Sequence, residues 1–150
     1  MESFEDLVSR KDRIPAEDLD RFFAVLAPVS VEEMLGEWEG CYFPGHSRLE
    51  LLVRDYGLFK WYGKEFVTPN YVKAVIFSFF GLRFNLPFCT AVIRQRQFRD
   101  KISVAMIYNY FPVIDNFRKI DNARVMGIME MKGKVKMYFY LKRKGVPSGA

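Results

Sequence analysis

Apolar residues change their spacing once along this chain. Leu19, Phe22, Phe23 and Leu26 fall at i, i+3, i+4 and i+7, the stripe of a helix that lays one face on a core. Pro15 followed by Glu17, Asp18 and Asp20 opens that helix, because proline fits a first turn and carboxylates there face the amide dipoles. Pro28 ends it. Ser30 and Glu33 have the spacing of a capping box for a short turn running to Leu35, and Gly36 stops that turn.

After Gly36 the period becomes two, as in strands that cover a core with one face. Strands are predicted over residues 37–43, 58–62, 74–80, 90–99, 103–110, 114–118, 125–131 and 135–143. In the last, Val135, Met137, Phe139 and Leu141 share one face, while Lys136 and Lys142 lie on the other with Tyr138 and Tyr140. In 103–110 both faces are apolar, which predicts a central strand. Lys132-Gly133-Lys134 joins the last two strands as a hairpin. Seven or eight short strands after one N-terminal helix predict a mainly β fold: an antiparallel β-barrel or bent β-roll of calycin-like type. A half-open roll resembling a pleckstrin-homology domain is the alternative. A barrel of about eight strands removes exposed edges and can hold one small ligand.

The chain's 150 residues make one domain, 1–150, with a helical leader over 1–35 and a barrel over 36–144. Charge divides along the same line. Residues 1–40 carry 4 basic and 11 acidic side chains, and the remainder carries 19 and 7, so the overall +5 is the sum of −7 and +12. A basic body attracts anionic surfaces, or is neutralised by its own acidic leader. Aromatic residues reach 17%, and Met126, Met129, Met131 and Met137 add soft side chains, which either fill a core or line a deformable pocket.

Cys41 and Cys89 form no disulfide framework, and neither a signal peptide nor a run of about 20 apolar residues occurs, so a cytoplasmic location is expected. No GxSxG elbow, HExxH, P-loop or dinucleotide fingerprint is present. His46 is the only histidine, which excludes a site of several imidazoles, and neither a metal nor a cofactor is expected. Two basic runs, Arg94, Arg96, Arg99 and Lys101, then Lys132, Lys134, Lys136, Lys142, Arg143 and Lys144, read as a solvated face or as contacts to an anionic membrane surface. Nucleic acid is disfavoured.

Gly36-Glu37-Trp38-Glu39-Gly40 sets an aromatic between glycines at the first strand, where the indole can plug a barrel end. In order after it stand Phe43-Pro44-Gly45-His46, Trp61-Tyr62-Gly63-Lys64-Glu65-Phe66, Ala105-Met106-Ile107-Tyr108, Pro112-Val113-Ile114-Asp115-Asn116-Phe117-Arg118 and Val125-Met126-Gly127-Ile128-Met129. Together these resemble the GXWXG family of small proteins, a motif domain followed by a partner domain of unknown function, over roughly 30–141. The likeness to the G-x-W opening of lipocalins and fatty-acid-binding proteins is one of fold alone. In the family pattern an Asp often follows the tyrosine at 108 and a His often stands at 116; here these are Asn109 and Asn116.

Asp115 and Arg118 are close enough to pair across a turn, and such a pair either holds two strands together or orients the arginine for a ligand. The functional expectation is a binding protein for a hydrophobic, lipid-like or polycyclic molecule with an anionic end. Trp38, Trp61, Tyr62, Met106, Tyr108 and Phe117 would line its cavity, and Lys64 and Arg118 would meet the anion. The competing expectation is a cofactor-independent isomerase or cyclase in which Asp115, Lys64 or His46 moves a proton. A third is a module that binds an anionic lipid surface.

Overall fold

The computed structural model describes residues 2–46, 59–79, 82–85 and 88–145, with backbone alone at 59–61 and 77–79. Three short helices precede the strands: α1 Phe4–Val8, α2 Ala16–Ala24 and α3 Val31–Met34. The sequence pattern predicts α2 and α3. It misses α1 because five residues hold only one turn of periodicity, although the Ser3 and Asp6 side chains cap it reciprocally.

Nine strands follow among the described residues: β1 Gly36–Tyr42, β2 Phe59–Thr68, β3 Tyr71–Phe79, β4 Leu82–Asn85, β5 Thr90–Phe98, β6 Lys101–Tyr108, β7 Val113–Lys119, β8 Arg124–Met131 and β9 Lys134–Arg143. All pairings are antiparallel, in the order β2-β1-β9-β8-β7-β6-β5-β3-β4, and β2 also pairs with β3. That last pairing closes an eight-stranded barrel and leaves β4 as an extra strand on β3. The fold is therefore the closed barrel and not the half-open roll. β2 and β3 run longer than predicted, since Gly63 and the polar turn at 69–70 hide their continuity. Residues Leu58 and Phe80 lie outside the described residues.

Alternating strand direction gives the barrel two ends. β1 starts, β6 starts and β9 finishes at one of them, which α3 covers: Val29, Met34 and Trp38 join the interior cluster there with Phe66, Val104 and Phe117. We term this the helix end. The other, the loop end, carries the finish of β3, β6 and β8 and the start of β5, β7 and β9.

The outer faces of β7, β8 and β9 carry buried residues too, because the helical layer lies on them. Phe4, Leu7, Ile14, Leu19, Phe22 and Phe23 from α1, α2 and their connection cover Phe43, Met126, Ile128 and Tyr138 on the outside of the barrel. Phe4 meets Tyr140 edge-on at 4.9 Å between ring centroids. No described helix is long and apolar enough to cross a membrane.

Candidate functional site

The G-x-W-x-G segment builds the helix end. Gly36 takes φ +119, which lets the chain turn sharply from α3 into β1. Trp38 then points into the barrel, fully buried, and its indole N–H donates to the Met34 carbonyl at 2.8 Å. The Arg143 guanidinium lies 4.2 Å over the indole and donates to the Leu35 carbonyl at 3.0 Å, clamping α3 across this end.

On β2, Gly63 adopts φ +153 at an irregularity in the β2–β3 register, and a Cβ there would lie 1.9 Å from the Trp38 carbonyl oxygen. Only glycine fits. The irregularity puts Tyr62 and Lys64, two residues apart, on opposite faces, where a regular strand would place them together. Tyr62 faces outward: its hydroxyl donates to Glu37 at 2.7 Å, with Arg83 and Lys144 stacked on its ring. Lys64 faces inward and is buried.

Inside the barrel, toward the loop end, Lys64 Nζ lies 3.3 Å from Asp115 Oδ2, with 4% and 1% of the two side chains exposed. The ammonium also donates to the Ala74 carbonyl at 2.7 Å and to the Tyr108 hydroxyl at 3.4 Å, and it sits 5.6 Å from the centre of the Phe139 ring. Asp115 Oδ1 is buried and has no hydrogen-bond partner among the described residues. Met106 and Phe117 lie in the apolar wall around this cluster.

Burial dominates the electrostatics. It pushes the Lys64 ammonium below the usual lysine range, against the pull of Asp115, and pushes the Asp115 carboxyl up, against the pull of Lys64. The two groups thus approach one another in proton affinity. The Tyr108 hydroxyl is held well above its ordinary value by burial first and by the charge of Asp115 second. The Cys89 thiol, raised by burial, is near enough for Lys64 to oppose that rise.

The pairing expected between Asp115 and Arg118 does not form. Three residues apart on an extended strand, the two side chains leave opposite faces of β7. Arg118 points outward beneath α2, where it donates to the Phe23 carbonyl at 3.0 Å, the Phe98 carbonyl at 2.9 Å and Asp100 at 3.1 Å, with the Phe23 ring 4.3 Å away. Arg118 therefore does not stand beside Lys64 as an anion receptor. His46 is also outside the barrel, donating from Nε2 to the Ile14 carbonyl at 2.5 Å and packing edge-on against Tyr138. The side chain of Trp61 lies outside the described residues.

Tyr108, Met106, Phe117, Lys64 and Asp115 come together, while Tyr62, Arg118 and His46 do not join them. Cys89 and the Ala74 carbonyl were not foreseen. A main-chain oxygen carries no sequence signal, and Cys89 precedes β5 with no spacing to Lys64 that a one-dimensional pattern registers. Asn116 lies on the outer face with Arg96 and Glu130, so the departure from the family pattern there does not touch the interior.

Residues 21–79 match a family model described as GXWXG protein, and residues 89–143 match one described as Domain of unknown function (DUF4334). A crystal structure of a protein from Thermomonospora curvata superposes with a TM-score of 0.79 at 31% identity, covering 93% of this chain and 95% of that one. No curated protein matches the sequence.

Proposed function

Because the chain belongs to the GXWXG family, whose name records a pattern and not a reaction, we propose a function from the geometry: binding of a small, largely apolar molecule inside the barrel. The ligand is lipid-like or polycyclic, and its one polar group meets Lys64, Asp115 and Tyr108. The observation that carries this reading is Asp115 Oδ1, an unpartnered carboxylate oxygen in an apolar interior. Leaving such an acceptor unpaired is costly, and a ligand hydroxyl donating to it removes the cost.

The anionic end expected from sequence fits this site less well. Lys64 is already neutralised by Asp115, Arg118 is on the other side of the sheet, and a second carboxylate would face Asp115 Oδ1. A neutral hydroxyl or carbonyl is the matching group.

Native mass spectrometry of protein purified from its host, before and after denaturation, is expected to reveal a co-purifying small molecule. Nile red, an apolar dye with a carbonyl, serves as a probe for the emptied protein. Its binding is expected to fall at least about tenfold in the double variant Lys64→Met/Asp115→Leu, which removes both charges together. A folded double variant that binds the dye unchanged, with no molecule co-purifying with the native chain, would defeat the reading.

A second reading rests on the convergence of Lys64 and Asp115 in proton affinity, which suits acid–base chemistry on a bound molecule. Catalysis predicts that Asp115→Asn retains ligand and abolishes its conversion, whereas simple carriage predicts no conversion by either form.

A further inference from the structure

We propose that the loop end of the barrel docks on an anionic lipid bilayer through an aromatic rim set among lysines. Phe88 and Tyr110 are each 66% exposed and meet edge-on at 5.7 Å between ring centroids. Phe111, also exposed, packs against Tyr108 on one side and lines the same surface groove as Lys132 on the other. Lys134 and Lys136 follow on the exposed start of β9. Large rings and lysine ammonium groups at adjacent tips match the two layers of a membrane interface, rings at the acyl boundary and cations at the phosphates.

The charge distribution selects the partner. Segments 82–85, 88–90, 109–112 and 131–136, which make up the described rim, contain no Asp or Glu, although the first 40 residues contain 11. Among the described residues the exposed acids are carried by the helical layer, by β1 and by the helix end. Glu130, which lines the groove beside Phe111, is buried and neutralised by Arg96, so the described rim offers a cationic, apolar surface to a negative one.

Backbone conformation places two of these residues at the tips. Phe88 at φ 65 and Lys132 at φ 52 hold left-handed conformations in which glycine or asparagine is far more at ease. The third such residue, Arg99, uses its turn to pair with Asp20. Lys132 takes this conformation as the first residue of the two-residue hairpin between β8 and β9, and both it and Phe88 project from the rim.

The inference stands apart from the ligand reading, since docking requires no space inside the barrel. It is tested by vesicle flotation of the full chain with phosphatidylcholine alone and with about one-third phosphatidylserine added. Binding is expected to the anionic vesicles, to weaken with added salt, and to fall about tenfold or more in Lys132→Glu/Lys134→Glu and in Tyr110→Ser/Phe111→Ser. These positions are exposed, so melting temperatures should stay near that of the parent and confirm folding. Equal binding to neutral and anionic vesicles, no binding to either, or binding indifferent to both variants would overturn the proposal. So would a concentration-dependent dimer of the native chain that the rim substitutions dissolve in place of any vesicle effect.

Discussion

Two buried cations sit on opposite faces of β7, Arg118 from that strand and Lys64 reaching Asp115 from β2, and they are built on opposite plans. Arg118, on the outer face, spreads its guanidinium over main-chain carbonyls and one exposed carboxylate, which together hold α2 and the β5–β6 turn to the barrel. Lys64, on the inner face, is paired with Asp115, and one oxygen of that carboxylate has no hydrogen-bond partner among the described residues. A guanidinium satisfied by carbonyls is an architectural fastening. An ion pair with spare acceptor capacity, set in an apolar interior, is a place where a further molecule can be recognised.

The comparison is broken most forcefully by removing one charge at a time. Arg118→Met, Lys64→Met and Asp115→Leu are each expected to lower unfolding free energy by about 3–5 kcal/mol, read from urea midpoints, because each leaves buried polar groups uncompensated. The two sites then part company. Lys64→Met/Asp115→Leu together should return stability to within about 1 kcal/mol of the parent, or above it, since an apolar pair of similar volume replaces both charges. Arg118→Met has no such rescue, as the carbonyls it abandons belong to the main chain. A double variant as unstable as either single one would show that the inner pair is a fastening as well.

Tyr108→Phe sharpens the contrast at smaller scale. It removes one long hydrogen bond from Lys64, so stability should change by about 1 kcal/mol or less while Nile red affinity falls severalfold.

Acid separates the peripheral ion pairs from the interior one by sign. Glu33 is held below its usual range chiefly by its hydrogen bond from Lys119, and Asp100 by that from Arg118. Their unfolded forms bind protons first as pH falls. The stability they contribute is therefore complete above about pH 4–5 and is lost as pH drops through the lowered folded values. Asp115 runs the other way: with its folded value raised by burial, its own contribution is complete in acid and is lost as pH climbs through that value. A melting temperature that declines below about pH 4, with an Asp115 carboxyl resonance titrating above the ordinary aspartate range, is the expected pair of observations.

Much of this was legible in one dimension. The alternating pattern marks six of the strands near their observed limits, and the stripe from Leu19 to Leu26 predicts the helix that covers the outer faces. Lys64, Asp115, Tyr108, Met106 and Phe117 stand out as charged or bulky residues in ordered motifs, and they do meet. Tyr62 and Arg118 are misplaced for different reasons. The irregularity at Gly63 reverses the side on which Tyr62 emerges, whereas Asp115 and Arg118 are read as meeting across a turn, and the extended strand that forms there sends residues three apart to opposite faces. β4 and α1 are too short to establish any period.

Composition and periodicity determine that this chain makes a mainly β molecule with a basic body and an acidic helical cover, because burial of one face per strand and one stripe per helix is a local property. Closure of the barrel through β2 and β3, the partner chosen by each buried charge, and the assignment of Arg118 to fastening and Lys64 to the interior were decided only in three dimensions. Strand register and bulges fix which atoms share a low-dielectric space, and Coulomb and desolvation energies depend on that shared space rather than on distance along the chain.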